Sequence, residues 1–102
     1  MKSLFDVTAY DESFYRERLA GFLPARLVDI HTHVWLARFR APRGDEPVRA
    51  VTWPRRVAVD SPIDELLATY RLMFPGKTVT PLVFANMGSR RDDEAASNRY
   101  VA

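Results

Sequence analysis

The sequence predicts an α/β fold made of parallel βα units. Apolar runs with the composition of buried strands occur at residues 26–34 and 78–86, and residues 61–74 between them carry helical periodicity. Strands that alternate with helices along a chain usually pair in parallel. The length of 102 residues, with 47% hydrophobic and 27% charged residues, fits a single small globular domain.

An N-terminal helical segment, residues 1–22, precedes these units. From Asp11 onward, aromatic and aliphatic side chains recur at helical spacing. They are Phe14, Tyr15, Leu19 and Phe22. The helix is expected to end at Gly21 or just before Pro24, and the βα units then occupy residues 23–102.

The first strand, residues 26–34, reads RLVDIHTHV and is expected to be buried on both faces, because Leu, Ile and Val dominate it. A long loop follows at residues 35–60, where prolines and arginines break the periodicity. A connection of this length is uncommon in a compact domain and usually has a function. We therefore expect the loop to cover another part of the protein, with Trp35 and Trp53 anchoring it rather than lining a pocket.

A second helix is predicted to begin at Ser61, which acts as the N-cap before Pro62 at the first helical position. Its apolar side chains recur at intervals of three and four residues, so they line one face that packs against the strands. They are Ile63, Leu66, Leu67, Tyr70 and Phe74. Pro75 and Gly76 are expected to end the helix.

The second strand is predicted at residues 78–86. Pro81 is expected near its start, because proline cannot donate a ladder hydrogen bond. A further helix, capped by Asp92 or Asp93, is expected to continue to residue 102.

The two histidines of the chain, His31 and His33, lie at the end of the first strand, and Asp29 precedes them at the same spacing. Side-chain alternation along a strand places these three on one face, whereas Ile30 and Thr32 point outward to pack against helices. Two imidazoles on one face can chelate a divalent ion such as zinc. Pairs of this kind are more often exposed or hydrogen-bonded histidines. Polar residues on the inward face of a buried strand are costly without partners, however, and this favours a site.

The run LPARLVDIHTHVW, residues 23–35, resembles the first barrel strand of the amidohydrolase superfamily, in particular its amidohydrolase-related branch. The resemblance implies that the chain is the N-terminal portion of a (β/α)8 TIM barrel. It also implies that His31 and His33 bind the catalytic metal and that Asp29 supports them without binding it. Residues 61–102 are similar to the branch in the order of their elements, and no match is claimed for residues 1–22 or the loop.

The implied function is metal-dependent hydrolysis of an amide, ester or lactone bond in a small-molecule substrate, with zinc as the expected ion. A metal-dependent decarboxylase of the same superfamily is an alternative, because both share the opening motif. The family's other ligands, histidines on middle strands and an aspartate on the last, have no counterpart in these 102 residues, and a barrel needs roughly 250 residues. The chain is therefore expected to be an incomplete barrel, inactive by itself.

A further alternative is a non-catalytic module, a truncated or oligomerising βα unit whose histidines are inert. Open strand edges favour pairing with other chains, so self-association or poor solubility is expected of the isolated partial barrel.

Three residues are weaker candidates for substrate contact. Asn86 is the last residue of the second strand, where it can reach the same barrel mouth as the histidines or simply form a turn. Arg38 and Arg40 in the loop can bind a substrate carboxylate, although most loop arginines are only solvated.

Composition argues against several other functions. The 15 basic and 13 acidic residues form no continuous basic face and accompany no nucleic-acid motif, so nucleic acid is not an expected partner. The absence of cysteine excludes disulfides and thiolate metal sites. The chain has no signal-peptide pattern and no run approaching the roughly 20 apolar residues of a membrane span, so a cytoplasmic protein is expected.

Overall fold

A computed structural model describes residues 5–39, 58–85 and 94–102. It is a mixed α/β structure with one sheet of two parallel strands. The chain divides into two compact units, Met1–Thr32 with Ile63–Leu82, and His33–Pro62 with Val83–Ala102. Both strands continue from the first unit into the second. None of the described helices is long and apolar enough to span a membrane.

The first unit begins with helix α1, Ala9–Phe14, which continues without interruption into a π-helical segment, Tyr15–Leu19. Thr8 caps α1 reciprocally with Asp11: the Thr8 side chain accepts the Asp11 N–H, and the Asp11 carboxylate accepts the Thr8 N–H at 2.8 Å. This capping box starts the helix earlier than the apolar periodicity alone indicated. Lys77 holds the other end, where its Nζ donates to the carbonyl oxygens of Ala20 and Leu23 at 2.6 and 2.8 Å.

The sheet pairs β1, Arg26–Val34, with β2, Thr78–Ala85. Thr78 donates its N–H to the Ala25 carbonyl at 2.9 Å, which sets the register. N–H groups alternate in direction along a strand, so the nitrogen of Pro81, three residues later, points away from β1. Proline is therefore tolerated in the middle of β2, although we expected it near the strand's start.

One face of the sheet is apolar and exposed in the first unit. Val28, Ile30 and Leu82 lie on this face, and Ile30 is 75% exposed. The expectation that Ile30 packs against helices is therefore wrong, because no described element of this unit covers that face. Thr32, by contrast, is half-buried. The opposite face, which includes Leu27 and Asp29, is half-buried.

Helix α2, Ile63–Met73, leads from one strand to the other. It begins just after the predicted cap at Ser61, and it ends where Pro75 and Gly76 were expected to end it. Tyr70 is its buried residue, at 8% exposure, whereas Leu66 and Leu67 are half-buried. The predicted apolar face of the helix is thus turned inward and is centred on Tyr70.

Gly76 has a φ of +77°, a conformation that L side chains rarely adopt. Gly76→Ala is expected to lower the free energy of unfolding by about 1–2 kcal/mol, because a Cβ is strained in the left-handed region. Gly21→Ala is the matched control, since Gly21 also has nothing within 4 Å of an added Cβ and lacks a positive φ. Urea denaturation of both variants measures the difference, and an equal effect at the two positions would contradict the role given to Gly76.

In the second unit, the two ends of the loop are held together. Trp35 and Ser61 form an antiparallel bridge, with N–H to carbonyl distances of 3.0 and 2.8 Å. Asp60 accepts the N–H of Ala37 at 2.6 Å, at the start of a short 3-10 helix, Ala37–Phe39. The Trp35 backbone therefore anchors the loop, whereas Trp53 lies outside the described residues.

The last helix, α3, spans Glu94–Val101. Its Tyr100 ring lies 5.7 Å from the Phe39 ring, which ties α3 to the 3-10 helix. Asp92 and Asp93, the predicted caps, lie outside the described residues. Val34 is the most deeply buried apolar residue described in this unit, at 1% exposure.

Candidate functional site

The candidate site is the polar face of β1, on which strand alternation places Asp29, His31 and His33. Asp29 and His33 are half-buried and His31 is exposed. The strand therefore offers two imidazoles with different access to solvent, two residues apart on one continuous element.

His33 has a defined orientation. Its Nδ1 lies 3.2 Å from the Ala85 carbonyl oxygen, at the end of β2. A carbonyl oxygen can only accept, so the ring donates from Nδ1, and in the neutral imidazole Nε2 then carries the lone pair. The ring also lies 5.9 Å from the Phe84 ring, which limits its rotation. His33 therefore presents Nε2 as its basic nitrogen.

Asp29 uses both carboxylate oxygens within the first unit. Oδ1 accepts the backbone N–H of His31 at 3.1 Å, and Oδ2 accepts the Tyr70 hydroxyl at 2.6 Å. The carboxylate thus fixes the backbone at His31 and ties β1 to α2. Both oxygens of Asp29 are therefore engaged in hydrogen bonds, and its predicted supporting role at a metal site stays a prediction.

Tyr70, for which the sequence indicates only packing, donates its hydroxyl to Asp29 of the candidate site. Burial, the hydrogen bond to Asp29 and the negative charge of Asp29 together raise the pKa of Tyr70 to about 12, while a hydrogen bond with Thr32 opposes them. The hydroxyl therefore stays protonated and donates to Asp29. The available signal was a tyrosine on a buried helical face, since a buried phenol usually needs a hydrogen-bond partner.

The raised pKa of Tyr70 predicts a loss of stability at alkaline pH. The unfolded chain loses this proton near pH 10 and the folded chain near pH 12, so the stability present below pH 10 is lost as the pH rises to 12. The free energy of unfolding should therefore fall as the pH rises through that window. Urea denaturation at several pH values measures the slope, and Tyr70→Phe should remove this contribution. An unchanged slope in Tyr70→Phe would contradict the assignment.

The other candidates are only partly described. Arg38 is exposed, and its guanidinium lies 5.0 Å above the Phe39 ring, so its position is explained by stacking on its neighbour. Arg40 and Asn86 lie outside the described residues. Asp60 accepts the backbone N–H of Ala37 at the start of the loop, a contact that the sequence pattern does not indicate.

Whether the described residues can hold a metal ion depends on the arrangement of their His, Cys, Asp and Glu side chains. Among residues 5–39, 58–85 and 94–102, no group of three or more His, Cys, Asp or Glu side chains is arranged to hold a metal ion. Imidazole nitrogen is a zinc ligand in proteins, and His31 and His33 supply two such groups. Comparisons of the chain with protein-family models, with curated proteins and with solved structures found no match.

Proposed function

We propose that this chain contributes the first metal-binding strand of an amidohydrolase-like enzyme with a (β/α)8 barrel. His31 and His33 bind a divalent ion, zinc by preference. The observation that carries the proposal is the contact between His33 Nδ1 and the Ala85 carbonyl oxygen, 3.2 Å apart.

That contact matters because histidines that bind metals usually donate their other ring N–H to a carbonyl or carboxylate. The donated hydrogen bond fixes the tautomer, orients the ring and makes the ligating nitrogen more basic. In His33 the carbonyl belongs to the last residue of β2, so pairing of the two strands positions the ligand. Nε2 is accordingly the proposed ligating atom.

Asp29 contributes by holding the strand in place. Its hydrogen bond to the His31 N–H fixes the backbone from which that imidazole projects, and its bond to Tyr70 fixes the carboxylate itself. A ligand whose backbone is already ordered loses less conformational entropy when it binds. We therefore assign Asp29 and Tyr70 as positioning residues.

A divalent ion bound here would supply a water nucleophile at neutral pH for attack on an amide, ester or lactone. A catalytic zinc site normally has three protein ligands, so we propose that further barrel strands supply the rest. The chain's own contribution is to hold two imidazoles at the carboxyl end of β1, the edge where barrel sites are built. The substrate is proposed to be a small molecule.

The proposal can be tested by zinc titration followed by NMR, since the chain has only two histidines to assign. Long-range ¹H–¹⁵N spectra separate Nδ1 from Nε2 in each ring. We expect zinc to shift Nε2 of His33 while Nδ1 remains protonated, and to shift His31 at the same stoichiometry. The affinity should be weak, because two ligands fix the ion incompletely. Coordination through Nδ1 of His33, or a response from only one ring, would contradict the proposal.

A second candidate is an oligomerising βα module, favoured by the exposed apolar face of Val28, Ile30 and Leu82. If this face joins two chains, Ile30→Lys should weaken self-association by at least about tenfold, because a charge would be buried at the contact. Val59→Lys is the control, since Val59 is also largely exposed and lies in the second unit. Sedimentation equilibrium measures the association. A wild-type chain that is monomeric, or equal effects of the two variants, would exclude this function for the face.

A further inference from the structure

The first unit contains a concave site unrelated to the histidines. A groove of about 1040 Å³ lies between the N-terminal helix and the end of α2, and we call it the α1–α2 groove. Its walls include Tyr10, Phe14, Leu19, Leu72 and Met73. Ligand pockets usually have volumes of about 300–1,000 Å³ and mostly apolar linings, so this groove has the size and character of a binding site.

The apolar walls are accessible. Tyr10 is 73% exposed, and Phe14 and Met73 are each 45% exposed. The Tyr10 and Phe14 rings stack with centroids 6.2 Å apart and form one aromatic wall. Large apolar side chains that share a concavity and remain open to solvent are typical of a surface that binds a ligand.

The opposite side of the groove is held rigidly. The Tyr15 hydroxyl donates to the Pro75 carbonyl at 2.8 Å, and the Tyr15 ring meets the Phe74 ring edge-on at 6.5 Å. These contacts join the N-terminal helix to the chain just after α2. The groove is therefore preformed, which reduces the entropy lost when a ligand binds.

Two cations line the same groove. Arg16 and Arg71 are exposed lining residues, and neither forms an ion pair or hydrogen bond with any side chain in the described parts of the chain. Two acids, Asp11 and Glu12, also line the groove. They differ from the arginines in that the Asp11 carboxylate accepts hydrogen bonds from Thr8 in the capping box. Glu12 lies in the first turn of α1, where the helix dipole favours a negative charge.

The π-helical segment supports the same site. The Ala20 N–H donates to the Tyr15 carbonyl at 2.8 Å, the wider hydrogen bond of a π-turn. Tyr15, Arg16 and Leu19 from this segment all line the groove. Isolated π-turns in α-helices occur frequently at functional sites.

We propose that the α1–α2 groove binds a single-chain amphipathic carboxylate, a fatty acid or an aryl-substituted alkanoate. The aromatic and aliphatic walls contact the apolar chain, and Arg16 and Arg71 bind the carboxylate. Arginine suits this role, because its planar donors match both carboxylate oxygens.

Calorimetric titration of the whole chain with decanoate, below its micelle concentration, tests the proposal. Decanol and decyltrimethylammonium are the neutral and cationic comparisons. A chelator is present throughout, so that a metal at His31 and His33 cannot bind the carboxylate. We expect saturable binding of decanoate about tenfold tighter than decanol, with the cation weakest.

Single arginine substitutions test which side chains bind the carboxylate. Arg16→Gln and Arg71→Gln should each weaken decanoate binding roughly two- to fivefold, with little change for decanol, because exposed charge pairs contribute modestly. Arg99→Gln on α3 is the control, since Arg99 is exposed and does not line the groove. Equal affinity for decanoate and decanol would overturn the proposal, as would arginine variants that behave like Arg99→Gln. Displacement of decanoate by a second copy of the chain, seen as concentration-dependent dimerisation, would also overturn it and assign the groove to a protein contact.

Discussion

Tyr70→Ala is expected to lower the free energy of unfolding by about 3–5 kcal/mol, the range for truncation of a buried aromatic residue. Tyr70 is 8% exposed, and its hydroxyl donates to Asp29 at 2.6 Å. The variant loses both the packing of the ring and the donor to a half-buried carboxylate. Urea denaturation followed by circular dichroism measures the change.

Two further variants separate these contributions. Tyr70→Phe keeps the ring and removes the hydroxyl, so it should cost about 1.5–3 kcal/mol, the usual value of a hydrogen bond to a charged group. Tyr10→Ala is the control, because Tyr10 is largely exposed and should change stability by about 0.5 kcal/mol or less. A Tyr70→Phe variant as stable as the wild type would show that the bond to Asp29 does not stabilise the fold. Equal losses in Tyr10→Ala and Tyr70→Ala would contradict the burial of Tyr70.

The second large effect concerns zinc. His31→Ala and His33→Ala should each weaken zinc binding by roughly tenfold or more, and the double variant should abolish the site, because each change removes one of two imidazole ligands. In a complete barrel enzyme either change should also remove metal-dependent turnover. A screen of amides, esters, lactones and decarboxylation substrates measures that turnover. Competition with a chromophoric chelator measures the affinity.

Two carboxylate variants serve as controls for the zinc measurements. Asp64→Asn removes an exposed carboxylate in the first turn of α2 and should leave zinc affinity unchanged. Asp29→Asn should weaken binding less than loss of a histidine, because it disturbs only the support of His31. Retained zinc binding in the double histidine variant would refute the metal-site proposal, and a larger loss in Asp29→Asn than in His31→Ala would make Asp29 a ligand.

Secondary-structure elements could be predicted where the spacing of apolar residues or a single glycine determines the local backbone. The interval of the apolar residues in 61–74 identified α2, and Gly76 ended it because its φ suits glycine. The aliphatic composition of residues 26–34 identified β1, although the expected burial on both faces was wrong. Helix starts were less accurate, because capping depends on particular side-chain contacts such as that between Thr8 and Asp11.

Long-range contacts could not be predicted from these patterns. The hydrogen bond between Asp29 and Tyr70 joins residues 41 positions apart, and that between His33 and Ala85 joins residues 52 apart. The exposure of Ile30 was also missed, because composition shows that a side chain is apolar but does not show what covers it. The π-turn at Tyr15–Leu19 has no sequence signal of its own.

Because Lys77 donates to the Ala20 and Leu23 carbonyls, the chemical reactivity of its amine can be used to measure local opening at the end of the N-terminal helix. An ammonium group that donates to two carbonyls reacts slowly with acylating reagents until the helix end releases it. The other lysine of the chain is Lys2, so a mass shift on the peptide that contains Lys77 can be assigned without ambiguity. The acylation rate of Lys77 therefore records how often the N-terminal helix detaches from the start of β2, a local opening that global unfolding curves do not resolve.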